Sequence, residues 1–291
     1  MSTDDYVKHN IEFFEGKNSG PEKKLTSENY QKIADQCARL LLGFEFGTAH
    51  STTRDDTYDT SVSSLWKHDP APKVLDFAGG LGLVAQRISS YTSEVVGVDV
   101  SPKMVEGFNE AVLNQGITPK EMRAIVADIS KPADFEKVKQ EALGGFNIVF
   151  SSLSFHHLPD IDGTLEKLFD LTKSGGTILI IDFISISGEG AGEIFPDAKG
   201  HSNHSHGHDH SHHHGDPHGH SHGGEHYHVV AHHHGFSEES ITKSLETAGF
   251  SNVYLSPHYV ALKRTTDGIS LDSNSHHPDQ KLRLRIIGAR K

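Results

Sequence analysis

The sequence predicts an α/β domain: a mostly parallel sheet of seven strands that ends in an antiparallel hairpin and carries an N-terminal helical cap. From Lys73 onward, five short apolar runs (VLDF, VVGVDV, AIVADI, FNIVFSSL and TILIIDF) alternate with segments of helical length. That alternation is the pattern of parallel strands covered by helices on both faces. Two further strand candidates, 252–263 and 281–287, are joined by a polar link over 265–280. The link is too short and too polar for a crossover helix, so these two strands should pair antiparallel. Upstream of the runs, Tyr30, Ile33, Ala34, Cys37, Leu40 and Leu41 recur at helical spacing after a breaker cluster at 18–21, which predicts the cap.

Taken in order, the expected units are a helical cap or lid over 1–65, a ligand-binding core over 66–187, an insertion over 188–230, and a helix and hairpin over 231–291 that complete the core sheet. Within the core, Ser101-Pro102 supplies an N-cap and a first-turn proline for a helix bearing Met104, Val105 and Phe108. The insertion is rich in Gly, Ser and His with almost no apolar periodicity, so it is expected to lack regular structure unless a ligand orders it. Ser237 then caps a helix through Leu245 that stops at Ala248-Gly249. In the last strand Leu282, Leu284 and Ile286 alternate with Arg283 and Arg285.

Composition narrows the function. The 291 residues suit one α/β domain with additions. Acidic residues number 39 against 27 basic ones, which argues against a nucleic-acid partner. The single cysteine, Cys37, allows neither an internal disulfide nor a Cys-rich zinc site and fits a reducing, cytoplasmic setting, the nucleus included. The N-terminus is acidic and polar, unlike a secretory signal, and no apolar run approaches a membrane span.

The chemistry concentrates at strand ends. Val74-Leu75-Asp76-Phe77-Ala78-Gly79-Gly80-Leu81-Gly82 places an acid and a glycine-rich turn after the first strand, where open parallel sheets bind ligands. A Cβ at Gly80 or Gly82 would take up ligand space, and Asp76 would fix the turn and a polar tail. Asp99 ends the second run, placed to accept from ribose hydroxyls. Asp128-Ile129 ends the third, placed for an adenine amine beside an apolar neighbour. Each acid could instead cap the following helix. Gly80-Leu81-Gly82-Leu83-Val84-Ala85 also satisfies a dinucleotide fingerprint, which keeps an NAD-dependent oxidoreductase open. Against it stand Asp76, which would repel a pyrophosphate, and the final antiparallel hairpin.

Over about 70–187 and 232–290 these motifs resemble the class I S-adenosylmethionine-dependent methyltransferases, in their small-molecule branch that includes quinone-biosynthesis and related fungal enzymes. Phe146 to Asp160 and Lys173-Ser174-Gly175-Gly176-Thr177 match as well. Ala78 and Asn147 depart from the pattern, standing where a glycine and an acid are frequent. The resemblance implies a Rossmann-like sheet, S-adenosyl-L-methionine as cofactor, and cofactor-binding roles for Asp76, Ala78, Gly79, Gly80, Gly82, Asp99, Val100, Asp128, Ile129 and Ser151. A sulfonium cofactor carries no phosphate and tolerates a ring of carboxylates. Its methyl passes by in-line displacement, which asks the protein for positioning and water exclusion.

For an acceptor that must lose a proton, His156 and His157 after the fourth strand are the candidate bases, with His234 behind them. Orienting the loop or lining the cofactor pocket is the competing role. The cap, with Phe13, Phe14 and Tyr30, could close as a lid or simply pack on the sheet edge. The resemblance also implies that His232-His233-His234-Gly235-Phe236 lies on the substrate side.

Between His201 and His228 nearly every second residue is histidine. His204, His206, His208, His210, His212, His213, His214, His218, His220 and His222 are candidate ligands for zinc or nickel. Storage or sensing of metal, pH sensing, and a tolerated surface loop all fit this composition, as does a metal-buffering protein on an inactive methyltransferase scaffold.

Overall fold

The structure, a computed structural model, describes residues 3–16, 20–47, 61–186, 230–265, 268–272 and 281–291. The histidine tract, with all ten candidate metal ligands, lies outside the described residues.

Among the described residues nine strands form the sheet: β1 (Lys73–Phe77), β2 (Glu94–Asp99), β3 (Met122–Val126), β4 (Phe146–Ser152), β5 (Thr172–Ser185), β6 (Phe236–Ser237), β7 (Ser251–Thr265), β8 (Gly268–Leu271) and β9 (Lys281–Arg290). Their order is β3-β2-β1-β4-β5-β9-β7-β8, with β6 paired to β5. The first five run parallel, and β9 is antiparallel to both β5 and β7. This is the mostly parallel sheet with a closing antiparallel hairpin that the sequence predicts. Two short strands are added to the seven expected. One is β8, which folds part of the polar link back onto β7, and the other is the two-residue β6.

The alternation expected for the last strand fails. Leu284, Arg285, Ile286 and Ile287 are all buried, because β9 lies between β5 and β7 with its faces covered by the two halves of the core. Polar–apolar alternation marks a strand with one wet face, and this strand has none.

Helices α1 (Thr3–Glu15), α2 (Pro21–Thr26) and α3 (Glu28–Gly43) precede the sheet. α3 buries Ile33, Ala34, Cys37, Ala38, Leu40 and Leu41, the stripe its spacing predicts. It joins the same core cluster as Phe150, Leu179 and Ile286. The sheet helices follow: α4 (Leu83–Ile88), α5 (Pro102–Asn114), α6 (Pro132–Glu141), α7 (Ile161–Leu171) and α8 (Glu238–Thr247). Ser101 caps α5 by accepting from the Met104 N–H, and Ser237 caps α8 by accepting from that of Ser240. Among the described residues no helix is long and apolar enough to cross a membrane.

Candidate active site

A cavity of about 330 Å³ runs along the carboxyl ends of β1, β2, β3 and β4 beneath the cap. The first turn of its wall is built by steric exclusion. A Cβ on Gly79 would come within 2.6 Å of the Asp76 carboxylate, so only glycine lets the chain pass over that buried acid. Gly80 has φ +54°, and a Cβ there would meet nothing within 4 Å. Gly80 lines the cavity, so the space in front of it belongs to a ligand. Gly82 serves otherwise: its Cβ would lie 2.2 Å from the Phe108 ring, so its smallness seats α4 against α5. Ala78 adopts φ +53°, a left-handed conformation that costs an L-residue about 1–2 kcal/mol and explains why glycine is the commoner choice at this position.

Of the ten residues to which the sequence gives a cofactor role, Ala78, Gly79, Gly80, Asp99, Val100, Asp128 and Ile129 line the cavity. Asp76, Gly82 and Ser151 stand behind it, and the Ser151 hydroxyl braces the turn by donating to the Phe77 carbonyl at 2.9 Å. Asp99 uses one oxygen for the Gly80 N–H (2.8 Å) and the other for that of Ser101 (2.9 Å), which ties the glycine turn to the start of α5. Each oxygen keeps a lone pair for a ligand hydroxyl. Asp128 fixes its Oδ1 on Ser130, leaving Oδ2 buried without a hydrogen bond and with only the Lys131 ammonium at 3.5 Å. Asp76 Oδ1 is likewise buried and unsatisfied. Asp128 lines the cavity, so its Oδ2, which accepts no hydrogen bond, is the oxygen that fits a ligand amine.

Burial holds Asp76 well above the usual carboxylate value of 3.8, with the Asp99 charge adding to the effect. Burial also raises Asp99, opposed by its backbone hydrogen bonds and by Lys24. A carboxyl whose folded pKa is raised contributes stability that is complete below its unfolded value and lost as pH rises through the folded one. The unfolding free energy of the ligand-free protein relative to Asp76→Asn should therefore decline as pH increases from about 4 toward neutrality. Chemical denaturation of both proteins across that range measures it, and a constant difference contradicts the assignment.

The far end of the cavity holds His156 and His157, as the sequence proposes for candidate bases. His156 is buried, and its Nδ1 lies 2.8 Å from Oδ1 of Asp182, itself wholly buried on β5. Asp182 also accepts from the backbone N–H groups of His156 (3.2 Å) and Phe183 (2.7 Å). Nδ1 therefore carries the hydrogen that points to Asp182, and Nε2 is the ring nitrogen left for a ligand. His157 packs edge-on to Phe14 of the cap at 5.2 Å. Cys37 also lines the cavity, but burial pushes its thiol up to about 12, so it is no nucleophile near neutral pH.

The segment 232–236 lies behind His156 and does not line the cavity. The Ala231 and His232 N–H groups both donate to the His156 carbonyl at 2.9 Å, and His232 Nε2 lies 3.0 Å from the Leu158 carbonyl. His234 is exposed.

The open α/β sheet thus brings acids at successive strand ends and a histidine backed by a buried aspartate to one cavity. Residues 50–255 match a methyltransferase domain family, and the chain belongs to it. It is 30% identical over 201 residues to a protein described as an uncharacterized methyltransferase of Schizosaccharomyces pombe, covering 69% of this chain and 60% of that one. It is 27% identical over 176 residues to the ubiquinone/menaquinone biosynthesis C-methyltransferase of Shewanella oneidensis, covering 56% of this chain and 66% of the other. This chain therefore spans under two thirds of the length of either relative. A crystal structure of an S-adenosylmethionine-dependent methyltransferase from Aquifex aeolicus aligns over 93% of this chain and 97% of its own, at 16% identity and a TM-score of 0.44. Family membership favours the methyltransferase reading over the nicotinamide alternative.

Proposed function

We propose that the protein is an S-adenosylmethionine-dependent methyltransferase of a small-molecule acceptor whose proton is removed by His156. The observation that carries this reading is the single cavity that joins the acid-lined strand ends, Asp99 and Asp128, to a histidine oriented by a buried aspartate. When bound, the cofactor supplies a methyl group activated by a sulfonium. The protein's own part is to hold the adenosine on Asp99, Asp128 and Ile129, to keep the glycine turn under the tail, and to exclude water with Phe13, Phe14 and Phe183. His156 Nε2 takes the acceptor proton, and Asp182 steadies the imidazolium that results. The apolar wall beside His156 suits an aromatic or otherwise apolar hydroxyl, amine or acidic C–H compound. Calorimetric titration with S-adenosylhomocysteine, followed by transfer of labelled methyl to a panel of phenols and hydroquinones, tests the reading. Absence of cofactor binding overturns it.

The chain is further proposed to work in the cytoplasm or nucleus, as its single cysteine favours, and to bind zinc or nickel through His204 to His222. Neutral imidazoles at alternate positions suit both metals. Titration of metal-stripped protein with each ion should give binding that disappears when residues 204–222 are deleted while S-adenosylhomocysteine still binds. Equal methyl transfer with and without chelator would make that metal site independent of catalysis.

A further inference from the structure

Lys24 is a cation placed where the cavity otherwise presents acids and aromatic rings. The segment that carries it is fastened to the strand end holding Asp99. Glu15, at the end of α1, accepts from the Ser101 hydroxyl at 3.0 Å and from the Lys103 N–H at 3.2 Å. Pro21 opens α2 directly above Gly107 of α5, where an added Cβ would lie 3.6 Å from the proline ring. One turn on, the Lys24 ammonium sits 4.2 Å from the centre of the Phe14 ring and 5.8 Å from that of Tyr30. Among the described residues it has no hydrogen-bond acceptor and no carboxylate within ion-pair distance.

Such an ammonium is incompletely compensated. Ring faces recover only about 0.5–2 kcal/mol, and the one charge that acts on it, Asp99, already serves Gly80 and Ser101. Partial burial lowers its pKa to about 8, with the Asp99 charge opposing the shift. A ligand anion would complete the pair. Of the described lysines and arginines, only Lys24 and Lys167 line the cavity, and Lys167 is engaged with the Gly163 carbonyl at 3.3 Å. Lys24 feels the charge of Asp99, and the Phe14 ring it covers packs in turn on His157, so it stands between the Asp99 strand end and the histidines. The cofactor's tail is an amino acid, and the carboxylates around the turn suit its ammonium but not its carboxylate.

Resting on the methyltransferase reading, we propose that Lys24 receives the carboxylate of the cofactor's amino-acid tail and so draws the N-terminal cap onto the bound cofactor. The probes are S-adenosylhomocysteine and its decarboxylated analogue, which differ by that carboxylate alone, titrated into the full-length protein. The wild type should prefer S-adenosylhomocysteine by about ten- to a hundredfold, the range of a charge-assisted hydrogen bond. Lys24→Met should abolish the preference by weakening S-adenosylhomocysteine while leaving the analogue within about threefold, and Lys24→Arg should restore part of it. A wild type that binds both ligands equally, or a Lys24→Met protein that keeps the preference, overturns the assignment and moves Lys24 to an anionic group of the acceptor. A wild type that binds neither ligand overturns the methyltransferase reading itself.

Discussion

Replacing His156 with glutamine is expected to lower the turnover of methyl transfer by about 10²- to 10⁴-fold, the usual contribution of a positioned general base. The affinity for S-adenosylhomocysteine should stay within about threefold, because His156 is proposed to act on the acceptor and not on the cofactor. Steady-state kinetics on the acceptor found by labelled-methyl screening, with calorimetry on the same samples, separate the two effects. Asp182→Asn tests the same step from the other side. An amide can donate to Nδ1 and drive the ring hydrogen onto Nε2, which presents the acceptor with a donor in place of a base. Unchanged turnover in both variants would leave the pair a purely structural contact beneath the cap.

The second large effect is expected at Asp99. Its two oxygens hold the Gly80 and Ser101 N–H groups, so alanine removes the ribose acceptor and also releases the glycine turn from the start of α5. Loss of two charge-assisted hydrogen bonds predicts weaker S-adenosylhomocysteine binding by about 10²- to 10⁴-fold. Asp99→Asn keeps one acceptor oxygen and should fall between alanine and wild type. Retained affinity in the alanine variant, measured by the same titration, would mean that the adenosine does not lie along this strand end.

Much of this was legible in the amino-acid order because it rests on local rules. The five parallel strands announce themselves as apolar runs. Ser101-Pro102 and Ser237 mark helix starts, and the glycines around residue 80 mark a turn that side chains cannot occupy. What escaped depends on distant neighbours. Asp182 reads as an interruption between Ile181 and Phe183, and nothing near it in sequence names His156 as its partner. The two meet because β4 and β5 are adjacent and parallel, which sets the turn after β4 beside the C-terminal part of β5. The available signal was a carboxylate inside an otherwise apolar strand, since a buried acid needs a partner. Lys24 sits on a six-residue helix, too short for periodicity to define a face. Arg285 looked like the wet side of a strand until β7 covered it.

The placement of β9 concentrates the integrity of the sheet in one strand. Among the described residues, β7 and β8 join the rest of the sheet only through β9. It follows both of its neighbours in the chain, so it closes the sheet by entering between β5 and β7 rather than by adding to an edge. A β9 that fails to enter leaves β7 and β8 detached and uncovers the edge of β5 beside Asp182.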